Sequence, residues 1–420
     1  KLTLAKEPLG KDNSQIDYAL SISRMFPHFN KRKSQQKDDI DIYRDGVKSI
    51  VSDLFGKDHL QVMSVEGLPQ IRMVLDLIEF DRLKDIRLIA TGSASPILER
   101  GASDSGTGRW SVLKRPTMSF YEYCRLLGLD LPVLEDELRL SELKGFSSAQ
   151  LGSLMDNFTP LQNHFNRYLM IGGFPELVLS DDDVYAQRML REDVVDKVIK
   201  RDVLSLFNIR SPLLMEKLFL YLCMNSTEIF NATTAAKELE NTSITTVESY
   251  IKALEMSNLI YLAKPMDVGS KGALKGKPKI FIADAAIRNA VLMIDDVLSD
   301  EKELGAMVET TVYKHMVSFY QGSPAQLGYF RKAKNNQKEV DVVVELPRQK
   351  ILCEVKYRNN SHITETDAIV ELCRDEQTKV TNAFLITKRL DDFGITKHKT
   401  KVPILRVPAI AFLYILGKAE

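Results

Sequence analysis

Short strand-like runs near the end of the chain constrain its fold more than any other feature of the sequence. Each run is apolar and rich in branched or aromatic residues, which is typical of strands buried in a sheet. The runs are GYFRK (328–332), VDVVV (340–344), ILCEV (351–355), AFLIT (383–387) and PILRV (403–407). Helical patterns over 306–320 and 364–373 precede and interrupt them. The order helix–strand–strand–strand–helix–strand–strand therefore predicts an α/β domain over residues 300–420.

The chain is much longer than this one domain. Its 420 residues predict about two to three domains. Hydrophobic residues make up 44% and charged residues 27%, which excludes a disordered, collagenous or coiled-coil chain. Lys and Arg (57) balance Asp and Glu (57), so any binding of nucleic acid requires a local basic patch.

The sequence also predicts where the protein resides. No apolar run approaches the roughly 20 residues of a membrane helix, and no signal-peptide core is visible. The four cysteines are scattered without CxxC spacing, which is typical of a reducing compartment, and the six histidines have no metal-binding spacing. We therefore expect a cytoplasmic protein with no membrane partner and no zinc site.

The middle of the chain combines a helical pattern with a hairpin pattern. Helices are predicted over 184–207, 212–224, 233–239 and from Ser243 or Thr245 onward. Two strand-like runs follow, 259–263 and 279–284. We assign 131–210 to a helical linker and 211–290 to a winged helix-turn-helix. Such folds bind DNA or only space protein partners, and the balanced charge favours neither.

Two glycine-containing segments could be mistaken for phosphate-binding loops. The basic loop KGALKGKPK (271–279) would suit phosphate contacts at the wing, but it is equally typical of an ordinary solvated loop. Gly172 and Gly173 lack a following GK[ST], so they predict a turn between helices.

A strand followed by small polar residues marks the N-terminal part. Residues 1–60 have little pattern, but apolar residues recur at helical spacing between 71 and 78. The run IRLIAT (86–91) follows and ends at Gly92 and Ser93. Open α/β sheets bind ligands at the carboxyl ends of such strands.

The clearest chemical signal is a set of carboxylates and a lysine in the C-terminal domain. Asp341 and Glu354 are 13 residues apart, enough for one strand, a turn and the return strand. Strand alternation places Glu354 and Lys356 on one face. Two converging carboxylates suit Mg²⁺, and a nearby lysine suits hydrolysis of a phosphodiester. Glu309, on the preceding helix, could supply a third carboxylate.

These four residues resemble the PD-(D/E)xK nuclease pattern, especially that of archaeal Holliday-junction resolvases. From about Asp85 to its end, the chain also resembles a prokaryotic family of AAA-like ATPases that carry the 4143 domain of unknown function. The matching segments are ATGSASPILERG, GRW with PTMSFYEY, YLMIGGFPELV, KVIKRDV, TTVESYIKALEMSNLIYL, KPKIFIAD and FRKAKNNQKEVDVVVE with ILCEVKYR. The resemblance implies an N-terminal P-loop module and a C-terminal domain with a nuclease fold.

The resemblance also implies nucleotide-binding residues. Thr91 and Ser93 would end the sensor-1 strand, where a polar side chain reads the γ-phosphate. Arg109 is a candidate contact to nucleotide, from a neighbouring subunit if the chain oligomerises, and a surface or interdomain salt bridge explains it equally well. Glu66 lies in VMSVEGLPQ (62–70), where the resemblance places the Walker B segment.

The phosphate-binding loop itself is absent from the sequence. No GxxxxGK[ST] motif occurs, and the pairs Gly10-Lys11 and Gly56-Lys57 lack the loop glycine and the Ser or Thr. Either the nucleotide site is degenerate, or this sequence, which begins at Lys1 rather than Met, omits parts of the natural chain. We expect little binding of MgATP.

The predicted architecture is an AAA-like (AAA+) module over 1–130, the helical linker, the winged helix, and a restriction-endonuclease-like domain over 300–420. We expect an ATPase-family protein whose C-terminal domain engages DNA, with Mg²⁺ held by Asp341 and Glu354. The alternative is a scaffold that binds protein or DNA partners without turnover, and a third reading is an ATPase whose C-terminal domain recognises protein.

Overall fold

A computed structural model describes most of the chain beyond residue 115. The described residues are 116–134, 138–207, 209–240, 242–266, 276–294, 298–332 and 338–419, together with three short strands nearer the N-terminus. The chain divides into two compact units, 1–112 and 113–420. In the described part, no helix combines the length and the hydropathy needed to cross a membrane.

The first unit contains the three short strands. They are β1 (Leu2–Leu4), β2 (Met63–Val65) and β3 (Ala90–Thr91). β1 lies in the centre and pairs antiparallel with both of the others. β2 lies in the segment expected for Walker B, and β3 ends the run expected for sensor 1. The P-loop arrangement itself stays a prediction.

The second unit begins with a group of helices. They are α1 (Phe120–Leu126), α2 (Ser148–Phe158), α3 (Gln162–Ile171), α4 (Pro175–Val178), α5 (Asp183–Arg191) and α6 (Leu204–Phe207). A π-helical stretch, Glu192–Val203, joins α5 to α6, so the single long helix predicted over 184–207 has a wider middle. Gly172 and Gly173 form the turn between α3 and α4, as predicted.

The three helices and the hairpin expected in the middle of the chain are present. They are α7 (Pro212–Met224), α8 (Ala232–Glu238), α9 (Ile244–Met256), β4 (Ile260–Pro265) and β5 (Lys279–Ile282), followed by α10 (Ala285–Leu292). Ser243 caps α9 by accepting a hydrogen bond from the Thr246 N–H. β4 and β5 pair antiparallel, from Ile260 opposite Ile282 to Ala263 opposite Lys279.

The C-terminal part has the predicted order of elements. They are α11 (Glu301–Phe319), β6 (Gln326–Arg331), β7 (Glu339–Leu346), β8 (Gln349–Lys356), α12 (Ala368–Arg374), β9 (Val380–Thr387), β10 (Gly394–Ile395), β11 (Ile404–Pro408) and α13 (Ala409–Lys418). Only the short β10 and the final helix were not predicted. The mixed α/β class is confirmed.

The hairpin and the C-terminal strands form one mixed sheet. Its order is β10-β11-β9-β8-β7-β6-β4-β5, with parallel pairing of β8 with β9, β9 with β11 and β4 with β6. One face packs on α11 and α13 and the other on α12. The sheet therefore runs without a break across the boundary predicted between residues 290 and 300.

A glycine permits this continuity. β4 and β6 approach so closely that a Cβ atom at Gly328 would lie 2.0 Å from the carbonyl oxygen of Lys264. A contact that short is sterically forbidden, so a side chain at this position would force the two strands apart.

A buried ion pair also joins the middle of the chain to the C-terminal part. Lys314 Nζ on α11 lies 3.0 Å from Asp284 Oδ2, just after β5, and the two side chains are 3% and 4% exposed. Lys314 also donates to the Thr117 hydroxyl at 2.8 Å and to the Met118 carbonyl at 3.0 Å. Burial alone would raise the pKa of Asp284, but Lys314 and Thr117 hold that pKa below its ordinary value.

Lys314→Met should lower the free energy of unfolding by about 3–5 kcal/mol, because it leaves the Asp284 carboxylate buried without its partner. Lys302→Met, in the exposed first turn of the same helix, is the matched control and should change it by less than about 0.5 kcal/mol. Urea denaturation followed by circular dichroism measures both. Equal losses in the two variants would show that the ion pair contributes nothing.

Candidate active site

The four residues predicted as catalytic lie together on three elements. Glu309 is on α11, Asp341 on β7, and Glu354 and Lys356 on β8. β7 and β8 are antiparallel neighbours, and Asp341 Oδ2 accepts a hydrogen bond of 2.8 Å from the Val355 N–H. Lys356 forms an ion pair with Oε1 of Glu354. The structure thus brings the four residues into one cluster.

A β-bulge lies at Asp341. Gly328 pairs with Val343 and Phe330 with Val340, so one residue of β6 stands opposite two residues of β7. Bulges of this kind redirect side chains and are over-represented next to active sites. The spacing of polar and apolar residues gave no sign of it.

Lys279 is the unexpected member of the cluster. In the sequence it lies where the basic loop ends and the strand-like run begins; in the structure it is the first residue of β5, and its side chain is only 5% exposed. Its ammonium lies 2.9 Å from Glu309 Oε1 and 3.5 Å from Asp341 Oδ1, and it also pairs with Glu339. The one feature of the sequence that could have indicated its burial is its position at the start of an apolar strand-like run.

Negative charge exceeds positive charge in the cluster. Its carboxylates and ammonium groups are those of Glu309, Glu339, Asp341 and Glu354, and of Lys279 and Lys356. When all of them are ionised, two carboxylates have no matching cation. Such an excess in a buried site favours either protonation or the binding of a cation.

The pKa values reflect this imbalance. Burial raises the pKa of Glu309 to about 7, although Lys279 opposes the shift. Burial and then the charge of Asp341 raise the pKa of Glu354 to about 8, opposed by Lys356. For Lys279, burial would lower the pKa, but the surrounding carboxylates hold it well above its ordinary value. Both lysines stay charged, because the pKa of Lys356 is raised as well, against burial, by Glu354 and Asp341.

The carboxylate oxygens of the cluster suit a hard cation, but the ammonium group of Lys279 lies where such a cation would bind. Within the described residues, no group of three or more His, Cys, Asp or Glu side chains is arranged to hold a metal ion. Lys279 lies among three of the carboxylates and makes the contacts that a cation would make. Oε2 of the buried Glu354 nevertheless accepts no hydrogen bond. Asp341, Glu354 and Glu309 could hold Mg²⁺ once Lys279 is displaced.

The nucleotide-binding predictions cannot be placed in the same way. Glu66, Ser93 and Arg109 lie outside the described residues. Thr91 ends β3, and the structure describes only its strand pairing. These residues stay predictions.

The exposed face of α9 offers little to a DNA backbone. Its exposed charged side chains are Glu248, Lys252 and Glu255. Phosphate binding depends on clustered Lys and Arg, and this face has a net negative charge. The helix that would read DNA in a winged helix-turn-helix is therefore poorly suited to that role here.

Two family models match the part of the chain that forms this cluster. Residues 304–407 match DUF4143, a domain of unknown function. That match confirms the resemblance of the C-terminal domain. Residues 162–298 match a second domain of unknown function, DUF8612. Lys279 lies in the DUF8612 region, and the carboxylates that it contacts lie in the DUF4143 region.

The curated relatives are themselves uncharacterized. A protein of Haemophilus influenzae is 21% identical over 297 residues, which cover 70% of this chain and 64% of that protein. A protein of Mycobacterium tuberculosis is 24% identical over 320 residues, which cover 74% of this chain and 62% of that protein. A protein of Methanocaldococcus jannaschii is 23% identical over 239 residues, or 55% of this chain and 48% of that protein. The chain thus spans less than two thirds of these relatives.

The raised carboxyl pKa values predict a loss of stability in alkaline solution. A raised folded-state pKa stabilises the fold below about pH 4.5, the ordinary Glu value, and that stabilisation is lost as the pH rises through about 7 to 8. Glu354→Gln should therefore have the same free energy of unfolding as the parent chain near pH 4, and it should exceed the parent value by on the order of 2 kcal/mol at pH 9.

The control for this measurement is Glu345→Gln on β7, whose carboxylate is 39% exposed and pairs with Lys350. Its side chain lies outside the carboxylate cluster, so this variant controls for the loss of one carboxylate charge from the same sheet. Urea denaturation at several pH values gives all the curves. Parallel curves for Glu354→Gln and the parent chain would show that Glu354 ionises normally.

Proposed function

We propose that the C-terminal domain hydrolyses phosphodiester bonds of DNA with the help of Mg²⁺, within a protein of the AAA-like ATPase class. The observation that carries this proposal is the convergence of Glu309, Asp341, Glu354 and Lys356 in one partly buried cluster. This residue set resembles that of PD-(D/E)xK nucleases. The oxygen of Glu354 that lacks a donor gives further support.

In this proposal Asp341 and Glu354 hold Mg²⁺ and Glu309 assists them. The bound ion would polarise the scissile phosphate and lower the pKa of a water molecule. The side chains supply the rest of the chemistry. The carboxylate of Glu309, which lies in the same cluster, is placed to accept the proton of the attacking water.

Lys356 acts as a fixed positive charge. Burial would lower its pKa, but Glu354 and Asp341 raise that pKa above the ordinary value, so the ammonium stays protonated. A protonated lysine cannot serve as a base. It can neutralise the charge that develops on the phosphate oxygens during cleavage.

A local group of basic residues favours DNA as the substrate. β8 and β9 run parallel, with Lys356 opposite Thr387, so residues that follow these strands lie at one edge of the sheet. Arg358 follows β8, and Lys388 and Arg389 follow β9. Arg389 pairs with Asp391, so Arg358 and Lys388 are the residues here that could meet backbone phosphates beside Lys356.

The competing proposal is a scaffold without turnover. Two observations favour it: the sequence has no Walker A motif, and Lys279 already neutralises part of the carboxylate cluster. In a scaffold the cluster would serve only to hold β5 against α11.

Asp341→Asn should reduce cleavage of DNA with Mg²⁺ or Mn²⁺ to background, because it removes a metal-binding charge while keeping the shape and the hydrogen bond from Val355. Single-stranded DNA, linear duplex and a four-way junction are the substrates. Glu345→Gln, a carboxylate on the same strand, should cleave like the parent chain. Unchanged cleavage by Asp341→Asn would remove the assigned site, and no cleavage by the parent chain would favour the scaffold.

A titration with a fluorescent ATP analogue tests the nucleotide module. Without a Walker A motif, this chain should show no micromolar binding in the presence of Mg²⁺. Fluorescence anisotropy measures this directly. Micromolar binding that unlabelled ATP displaces would show that residues 1–130 hold phosphate by another sequence.

A further inference from the structure

We infer that Lys279 is a built-in competitor of the divalent cation: its ammonium occupies the cation position of the carboxylate cluster, and a metal ion binds only when that ammonium leaves. This inference deepens the proposed function, because it concerns the same carboxylates. It identifies the hairpin of the DUF8612 region as the element that controls access of metal to the DUF4143 region.

The contacts of Lys279 carry the first step. Its ammonium lies 2.9 Å from Glu309 Oε1 and 3.5 Å from Asp341 Oδ1, and it also pairs with Glu339. Contacts to several carboxylates are what a hard cation makes in an oxygen site. A lysine ammonium and a metal ion cannot occupy that position together.

The remaining carboxylate carries the second step. Glu354 is 6% exposed, yet its Oε2 accepts no hydrogen bond, and Lys356 pairs only with its Oε1. A buried carboxylate oxygen without a donor is costly, and a bound cation would satisfy it. Exchanging the Lys279 ammonium for one divalent ion would reduce the excess of negative charge in the ionised cluster from two to one.

The position of Lys279 in the fold carries the third step. β4 meets β6 through only two residue pairs, Lys264 with Gly328 and Pro265 with Tyr329. The far end of β5 is fixed by the pair of Asp284 with Lys314. The backbone is also held beside Lys279, where the Phe230 N–H donates to the Pro278 carbonyl at 2.8 Å. The group that leaves the carboxylates is therefore the flexible Lys279 side chain, while the strand stays in place.

The test is a Mn²⁺ titration of the whole chain, followed by electron paramagnetic resonance of the free ion. Lys279→Met should bind Mn²⁺ at least about tenfold more tightly than the parent chain, since it removes a positive charge from the binding position. Lys277→Met removes the same charge from an exposed position two residues away and should leave the affinity unchanged. Adding Glu309→Gln to Lys279→Met should reverse the gain.

A second variant covers the case in which Lys279→Met does not fold. Lys279→Met combined with Glu339→Gln removes one charge of each sign, so the excess of carboxylates stays the same. It should still bind Mn²⁺ more tightly than the parent chain. Equal or weaker binding by whichever variant folds would overturn the inference.

Cleavage assays separate this inference from the proposed function. Tighter Mn²⁺ binding by Lys279→Met without DNA cleavage by any variant would keep the inference and reject the nuclease. Cleavage by the parent chain, with no gain of affinity in Lys279→Met, would keep the nuclease and reject the competition.

Discussion

Strand β5 is attached to helix α11 by two buried ion pairs of opposite polarity, and the described body of the protein depends on this attachment. Lys279 at the start of the strand pairs with Glu309, and Asp284 just after its end pairs with Lys314. Between the two ion pairs, the ring of Phe281 on β5 stacks on the ring of Tyr313 on α11, with the ring centroids 4.2 Å apart. Because the order of charges reverses from one end to the other, sliding the strand along the helix would break both pairs. The two ion pairs therefore fix the position of β5 along α11 as well as holding the two elements together.

Because of this attachment, the boundary between the two matched regions does not separate two independent structural domains. The DUF8612 match ends at residue 298 and the DUF4143 match begins at 304, as expected for two modules in sequence. In space the two regions share one sheet, one ion-pair network and one carboxylate cluster. Carboxylates of the region that matches one family model are thus neutralised in part by a lysine of the region that matches the other.

Local patterns were enough to predict much of this structure. The order of helices and strands after residue 300 followed from periodicity, because alternation and helical spacing are properties of neighbouring residues. The convergence of Asp341 with Glu354 followed in the same way, from the length of one strand and its return.

Contacts between segments distant in sequence were not predictable. The burial of Lys279 and the role of Glu339 depend on the pairing of β4 with β6, which no local pattern encodes. The bulge at Asp341 depends on how two neighbouring strands fit together. The nucleotide-binding predictions rest on resemblance alone, and the described residues do not include their side chains.

The two ends of the eight-stranded sheet have a further consequence. One edge is β5 and the other is β10, strands of only four and two residues. Long open edges recruit strands from other molecules and lead to aggregation, whereas short ones give an incoming strand little to pair with. The hairpin beside β6 pairs with the middle of that six-residue strand, at Gly328 and Tyr329. We therefore expect contacts between copies of this body to form through side-chain surfaces and not through added strands.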